Sequence, residues 1–235
     1  MTAETVARPP LRIALPQLFA DLPAPWALLG EPLDEVLAAL PSERLEIRPS
    51  PDVHLAGDRI VIGKGTRLGP GAVIEGPVFL GRDVEVRPGA YIRGGAWIGD
   101  GCLVGASTEV KRGIFLPGAH APHLNYVGDS ILGAGVNLGA GTILSNFRHD
   151  GCDVQIPIPE RAGSGPPLLA TGRRKLSAIL GDGVKTGCNC VLNPGVIVGR
   201  GTRIYPGVVL RSGVYPSGSI VKLHQELEIV PDGGF

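Results

Sequence analysis

The sequence is poor in aromatic residues: Phe, Trp and Tyr make up 5% of its 235 residues, whereas hydrophobic residues make up 43%. A core of any size must therefore be built from aliphatic side chains. The sequence also lacks a run approaching 18 apolar residues, and its start has no continuous apolar signal core. We therefore expect neither a membrane span nor a secretory signal, and we predict a cytoplasmic protein.

An excess of either charge is also missing, because Lys+Arg and Asp+Glu number 22 each. With no net field, we do not expect nucleic acid or an anionic membrane as a partner.

Cysteines are few and form no CxxC pair. Cys102, Cys152, Cys188 and Cys190 are therefore predicted to be free thiols in a reducing compartment. Cys188 and Cys190 lie two apart, but two thiols without further ligands make a weak metal site. We favour interior packing for this pair and expect no metal.

What the sequence has in abundance is glycine (36) and proline (22), and these residues recur with a period. Every sixth residue from Ile62 to Leu116 is aliphatic, and a small or β-branched residue stands two positions before most members of the series. Residues two apart on a strand face the same side, so both series line one interior. The aliphatic series is Ile62, Leu68, Ile74, Leu80, Val86, Ile92, Ile98, Val104, Val110 and Leu116.

Three such hexads make one coil of 18 residues, and coils stack as parallel strands about 4.8 Å apart. The series resumes at Leu132 and again at Leu180, which gives six to seven coils in all. From Leu116 to Leu132 is not a multiple of six, so we place a register slip at residues 121–129. The fold class predicted is all-β, a parallel β-helix.

The chain divides into three parts by this pattern. Residues 1–58 are predicted to form a cap with a short helix, placed over the open end of the prism where strand edges need cover. Residues 59–216 form the β-helix, from which residues 147–176 leave as a long loop. Residues 217–235 hold one strand, SIVKL, and a weakly ordered tail.

Several segments resemble the acetyltransferase half of the bifunctional enzyme that makes UDP-N-acetylglucosamine. They are TEVK (108–111), APHLNYVGDSILGAGVNLGAGT (121–142), Asn146-Phe147 and GDGVKTGCNC (181–190). A resemblance to stand-alone proteins described as sugar-nucleotide transferase-like spans nearly the whole chain. The resemblance implies a left-handed β-helix, although parallel crossovers are normally right-handed. It also implies a homotrimer, acetyl-CoA as co-substrate, and N-acyl transfer to an amino-sugar phosphate or nucleotide amino sugar.

His123 matches the catalytic histidine of this family. An amino-sugar ammonium must lose a proton before it attacks a thioester, and imidazole is suited to accept it at neutral pH. The alternative for His123 is a solvated loop residue. His120 falls at a position expected to face the interior, where a structural role is favoured.

Arg93 and Lys111 are one coil apart, which places two cations on one face in adjacent layers, where they can clamp a phosphate. The family spaces its phosphate-binding Arg and Lys in the same way. Arg87 is assigned to the same column and is an alternative to Arg93. A surface ladder of ion pairs with Glu85 and Glu109 is the competing interpretation.

Tyr126 and Asn137 match residues that hold the sugar in the family. The alternatives are that Tyr126 fills the core, because it stands where a hexad aliphatic belongs, and that Asn137 belongs to a structural ladder at a coil corner.

The resemblance assigns acetyl-CoA to backbone amides near Ala140, to the Asn146-Phe147 step and to Cys188. Amides at such a site also stabilise a thioester oxyanion. The family's loop lysine has no clear counterpart here, and Arg148, Arg173, Arg174 or Lys175 are the available substitutes.

Two other functions remain open. One is a non-catalytic trimeric β-helix module related to sugar-nucleotide pyrophosphorylases. The other is a γ-type carbonic anhydrase with zinc between subunits, although the spacing of His120, His123 and His149 does not match that site. No Gly-rich nucleotide-binding domain precedes the repeats in this sequence, so we do not expect uridylyl transfer.

Overall fold

The computed structural model of the protein describes residues 24–158 and 167–228. Its main body is a prism of short parallel strands stacked in three columns, which we call faces 1, 2 and 3. The parallel β-helix predicted from the hexads is confirmed. Within the described residues face 1 has nine layers, more than the six to seven coils predicted.

Face 1 consists of Glu43–Leu45, Ile60–Ile62, Val78–Leu80, Ala96–Ile98, the ends of Glu109–Phe115 and Tyr126–Leu132, then Ala178–Leu180, Val196–Val198 and Gly213–Tyr215. Face 2 consists of His54–Ala56, Val73–Glu75, Tyr91–Ile92, the starts of Glu109–Phe115 and Tyr126–Leu132, then Ile143–Leu144, Val191–Leu192 and Val209–Leu210. Face 3 consists of Arg67–Leu68, Glu85–Val86, Leu103–Ala106, His120–His123, Lys185–Thr186, Arg203–Ile204 and Ile220–Val221, with Asn137 bridging the fourth and fifth strands.

The prism begins earlier than the boundary predicted at residue 58. Glu43–Leu45 pairs in parallel with Ile60–Ile62, and His54–Ala56 pairs with Val73–Glu75. The first coil is therefore formed by residues assigned to the cap, whose strands are short and outside the strict hexad series.

The predicted helix lies against the side of the prism, not over its open end. On the strands Ile60–Ile62, Val78–Leu80, Ala96–Ile98 and Ala178–Leu180 of face 1, the outer two residues line the interior and the middle residue points outward. These middle residues are apolar, and Phe79 stacks on Trp97 with ring centroids 3.9 Å apart. A 3-10 helix (Pro25–Leu29) and a helix we call α1 (Glu31–Ala38) cover them.

The long loop returns to the same surface. Val154, Ile156 and Leu176 are buried in the cluster that α1 forms with face 1. Two short strands of the loop, Gln155–Pro157 and Leu168–Ala170, pair antiparallel. The loop thus leaves the prism as predicted but then packs along face 1.

The register is shortened twice, each time at the corner where face 2 turns into face 1: at 110–115, ahead of the predicted slip, and at 127–132, which overlaps the predicted 121–129. The buried Val110 and Phe115 are five positions apart instead of six, and so are Val127 and Leu132. Phe115 takes the interior place expected of Leu116. His120 consequently points outward and is half-buried, since its neighbours on either side fill the interior.

At the far end the predicted strand is present as Ile220–Val221, which pairs with Arg203–Ile204. Residues 1–23 of the predicted cap and the end of the tail lie outside the described residues. In the part of the chain that the structure describes, no helix has the length and apolarity needed to cross a membrane.

Candidate functional site

The residues singled out from the sequence gather at the two corners that border face 2. We call the first the basic corner, where face 2 turns into face 1; it comprises Arg93, Lys111, Tyr126, Asp129, Asn146 and Lys175. We call the second the histidine corner, where face 3 turns into face 2; it comprises His123, Asn125, Ala140 and Cys188.

At the basic corner, Arg93 and Lys111 occupy adjacent layers, as their spacing predicts. Arg93 Nη1 donates to Glu109 Oε1 at 3.1 Å, and Lys111 Nζ lies 4.0 Å from Asp129 Oδ2. The ion pair with Glu109 confirms part of the surface ladder. Both cations are therefore oriented by carboxylates of the following coil.

Asp129 is the most enclosed charged group of this corner, with 4% of its side chain exposed. Asn146 Nδ2 donates to Asp129 Oδ2 at 2.6 Å, which compensates part of the burial of the carboxylate. Asp129 has φ of 45°, a backbone conformation that short polar residues tolerate better than most. The shortened corner thus fixes this carboxylate beneath Lys111.

The electrostatics favour an anion at this corner. Burial lowers the pKa of Lys111; the Asp129 carboxylate opposes this shift, while the neighbouring cations Lys175 and Arg93 add to it. The hydrogen bond to Glu109 raises the pKa of Arg93. A dianion placed among these cations relieves their mutual repulsion.

Tyr126 points outward from face 2, because Val127 takes the interior position that was an alternative for Tyr126. Its side chain is half-buried, and burial raises the pKa of the phenol. A Cβ added at Gly128 would lie 2.6 Å from Tyr126 Oη and 2.8 Å from Asn146 Nδ2. The glycine therefore allows both polar groups to approach the backbone beside Lys111.

The loop completes the basic corner. Arg173, Arg174 and Lys175 line a cavity of about 550 Å³ together with Asp129, Phe147 and Gly172. Phe147 is 43% exposed, and its backbone bridges antiparallel to Lys175. Arg173 Nη2 donates to the Leu29 carbonyl at 3.0 Å, and burial lowers the pKa of Arg173.

At the histidine corner the backbone is fixed while the imidazole stays exposed. The His123 N–H donates to Asn125 Oδ1 at 3.1 Å, and the His123 carbonyl accepts from Gly141 N at 3.1 Å. Asn125 is buried and donates through Nδ2 to the Gly139 carbonyl at 2.8 Å. Asn125 therefore ties the coil of His123 to the next one.

The residues assigned to acetyl-CoA are divided between the corners. Ala140 lies in the layer next to His123, and its carbonyl accepts from Asn189 N at 2.8 Å. Cys188 precedes Asn189 and is exposed. Asn146 and Phe147, by contrast, lie at the basic corner.

Asn137 belongs to neither corner. It forms parallel bridges with His120 and Lys185 on face 3. Its position is consistent with the ladder interpretation.

In residues 24–158 and 167–228 no hydrogen bond or ion pair joins His123 to a residue of the basic corner. Only five residues separate His123 from Gly128, which pairs with Lys111, and this corresponds to roughly 17 Å at most. Tyr126 stands between them. A ligand that crosses face 2 would therefore contact Tyr126 and reach both corners.

Arg87 was assigned to the column of Arg93, and this assignment is wrong. Six residues are one third of a coil, so Arg87 lies on face 3, where it follows the strand Glu85–Val86. Its guanidinium donates to Glu85 Oε1 at 2.8 Å and approaches the Pro122 carbonyl at 3.5 Å. Arg87 therefore lies beside the histidine corner.

The four cysteines are free, as predicted. Cys102 and Cys190 are buried, whereas Cys152 and Cys188 are exposed, so interior packing holds for Cys190 but not for Cys188. No group of three His, Cys, Asp or Glu side chains suited to a metal ion occurs among the described residues.

Sequence reasoning missed Asp129 and Asn125, which hold the two corners. Both were visible as polar residues inside the quoted 121–142 segment. The burial of Asp129 follows from the tightened corner, and neither burial could be read from the hexads.

The profile of the family described as bacterial transferase hexapeptide (six repeats) matches residues 59–94, 77–112 and 177–212. A "Bifunctional sugar-1-phosphate nucleotidylyltransferase/acetyltransferase" of Sulfurisphaera tokodaii is 40% identical over 111 residues, which cover 47% of this chain and 26% of that protein. The "Bifunctional protein GlmU" of Synechococcus sp. is 32% identical over 185 residues, covering 72% of this chain and 35% of that protein.

Among solved structures, an Arabidopsis UDP-N-acetylglucosamine acyltransferase aligns over 74% of this chain and 71% of that one, at 13% identity and a TM-score of 0.36. A likeness this weak does not bear on function. The chain spans about a quarter to a third of the length of the curated relatives described above. Residues 59–112 and 177–212 of the prism match bacterial transferase hexapeptide repeats, and the chain is similar to part of such bifunctional proteins.

Proposed function

We propose that this protein is an acyl-CoA-dependent N-acyltransferase that acts on an amino-sugar phosphate or a nucleotide amino sugar, with acetyl-CoA as the acyl donor. The observation that carries the proposal is the arrangement of face 2. One edge presents Arg93 stacked on Lys111, and the other edge presents the exposed imidazole of His123.

In this proposal the phosphate binds Arg93 and Lys111, and the sugar lies across face 2 against Tyr126. Such a pose directs the amino group towards His123. The imidazole accepts a proton from the ammonium, and the free amine attacks the thioester carbonyl. The C–S bond then breaks, an amide forms, and the CoA sulfur leaves as a thiol after taking up a proton.

A neighbouring copy of the chain has a defined place in this scheme. Ala140 and Cys188 lie at the histidine corner, whereas Asn146 and Phe147 lie at the basic corner. We propose a homotrimer in which acetyl-CoA binds in a groove between subunits, so that the two sets come from different copies. Backbone amides near Ala140 would stabilise the oxyanion. Because Asn137 lies on face 3, it would contact the sugar only from the neighbouring copy.

The relatives support the chemistry. The Sulfurisphaera tokodaii protein is named both for a sugar 1-phosphate and as an acetyltransferase, and the region it shares with this chain is about half of the chain. Acetyl-CoA as donor also agrees with the cytoplasmic location predicted from the sequence.

The test is a panel of amino-sugar phosphates and nucleotide amino sugars incubated with acetyl-CoA, with free thiol followed over time. We expect thiol release with glucosamine 1-phosphate or a nucleotide-linked relative, and an N-acetylated product by mass spectrometry. Acetyl-CoA alone at 100 times its Kd should stabilise the fold by about 2.7 kcal/mol.

The alternatives give different results. A non-catalytic module would release no thiol and would show no thermal shift with acetyl-CoA. A γ-type carbonic anhydrase would be purified with zinc and would hydrate CO₂. Either result would overturn the proposal.

A further inference from the structure

Three consecutive cations of the loop, Arg173, Arg174 and Lys175, have no role in the scheme above. We call them the loop cations. They line the cavity of about 550 Å³ whose floor includes Asp129. Lys175 lies next to Lys111 and lowers its pKa, so the loop cations extend the positive surface that begins at the basic corner.

The charge balance around Arg93 and Lys111 differs from that around the loop cations. Arg93 is paired with Glu109, and Lys111 with Asp129. Over the described ranges, no carboxylate oxygen lies within 4.0 Å of a loop cation. Arg174 Nε donates only to a backbone carbonyl, that of Gly151, at 3.1 Å. The loop cations therefore lack a directly paired carboxylate, and Asp129, the acidic residue that lines the cavity, is already paired with Lys111.

One phosphate does not account for this surface. A phosphate monoester carries about −1.5 to −2 charges at neutral pH. The five cations Arg93, Lys111, Arg173, Arg174 and Lys175 less the two paired carboxylates, Glu109 and Asp129, leave three positive charges. The cavity beside them has a volume typical of sites that hold a whole small-molecule ligand. Arg and Lys on one wall of such a cavity are the usual ligands of a phosphate group.

We propose that the loop cations bind the second phosphate of an amino sugar linked to a diphosphate, as in a nucleoside-diphosphate sugar. This inference rests on the proposed function and narrows its substrate class. The first phosphate contacts Arg93 and Lys111, and the second contacts Lys175, which lies next to Lys111, and Arg174. The diphosphate of acetyl-CoA is the competing occupant, because Phe147 also lines this cavity. The sugar's second phosphate is favoured because Lys175 lies next to Lys111, which holds the first.

The kinetic test compares UDP-glucosamine with glucosamine 1-phosphate, with acetyl-CoA as donor. We expect a lower KM for UDP-glucosamine. The double substitution Arg174→Gln/Lys175→Gln should raise that KM about tenfold or more, because charge-assisted contacts are lost. It should raise the KM for glucosamine 1-phosphate by a clearly smaller factor, because Lys175 borders Lys111, and should change the KM for acetyl-CoA little. Lys175→Arg should retain most of the advantage. Arg203→Gln, an exposed cation on face 3, is the matched control.

A binding measurement separates this inference from the proposed function, since it needs no turnover. By calorimetry UDP should bind the full chain more tightly than UMP, and the double variant should lose the difference. If both sugars fail as substrates but this binding pattern holds, the diphosphate subsite stands and the acyltransferase proposal fails. If glucosamine 1-phosphate is acetylated without any advantage for UDP-glucosamine, or if the double variant affects only the KM for acetyl-CoA, the inference is overturned and the proposed function stands.

Discussion

The ammonium of Lys111 lies 4.0 Å from Asp129 Oδ2, and Asp129 is almost fully enclosed. The carboxylate is held by the amide of Asn146 and by the tight corner in which it stands. Lys111 is therefore tethered at its ammonium while a quarter of its side chain remains exposed. A tethered lysine loses less entropy when it binds an anion, which suits a phosphate-binding role.

Replacing Lys111 by Gln should raise the KM for the sugar phosphate by about tenfold or more, with a smaller effect on kcat. The reason is that a contact to a phosphate remote from the reacting nitrogen contributes to the ground state and the transition state alike. Initial rates of thiol release at varied substrate concentration measure this. Arg203→Gln serves as the control, and an unchanged KM in Lys111→Gln would remove Lys111 from the site.

His123→Ala should lower kcat by roughly 10²–10⁴-fold, the usual contribution of a general base. Its thermal unfolding midpoint should stay close to that of the parent protein, because the imidazole is exposed and the corner is held by backbone groups and Asn125. The matched control is His54→Ala, an exposed histidine in the first layers of face 2. Full activity in His123→Ala would show that another group accepts the proton.

The cover over face 1 can be tested through stability. Leu33 is fully buried between α1 and the prism, whereas Leu227 is 79% exposed. Leu33→Ala should lower the free energy of unfolding by about 2–5 kcal/mol, and Leu227→Ala by less than about 0.5 kcal/mol. Urea unfolding of both variants gives the comparison. Equal midpoints would mean that α1 does not protect face 1 in solution.

The prism was predictable because the sequence pattern that specifies it repeats within a few residues. An aliphatic residue at every sixth position fits no other regular structure, and the buried interior residues keep that period over most of the prism. The position of α1 was missed although its signal was present: Val61, Phe79 and Trp97 stand between the inward residues of their strands and are apolar. An apolar outer face requires cover along the side of the prism.

Site residues related by a whole coil of 18 residues could be placed from the sequence. Those whose position depends on how the chain turns at a corner could not. Arg93 and Lys111 are 18 residues apart and stack as predicted, whereas Arg87 was misplaced because six residues lead to a different face. The first of the two shortened steps was missed because Phe115 and Leu116 are adjacent and both apolar, so either could fill the interior. The enclosure of Asp129 follows from that choice and needed the structure.

The thiols give a prediction that is independent of the proposed function. Burial raises the pKa of Cys102 to about 12, and burial also raises the pKa of Cys190. Only the thiolate reacts readily, so these two should be protected in the folded protein. At pH 8 a thiol reagent should label Cys152 and Cys188 quickly and the other two only after denaturation, as peptide mass spectrometry would show.

The same shift makes stability depend on pH in a defined direction. The pKa of Cys102 is higher in the folded chain (about 12) than its ordinary value of 9.0, so the folded state holds the proton more tightly. Its contribution to stability is complete below pH 9 and is lost as the pH rises from 9 towards 12. In this pH window the free energy of unfolding of Cys102→Ala should therefore fall less steeply with rising pH than that of the parent protein. The free energy of unfolding of Cys152→Ala should follow that of the parent. Identical alkaline profiles for all three proteins would show that the Cys102 thiol ionises freely in the folded state.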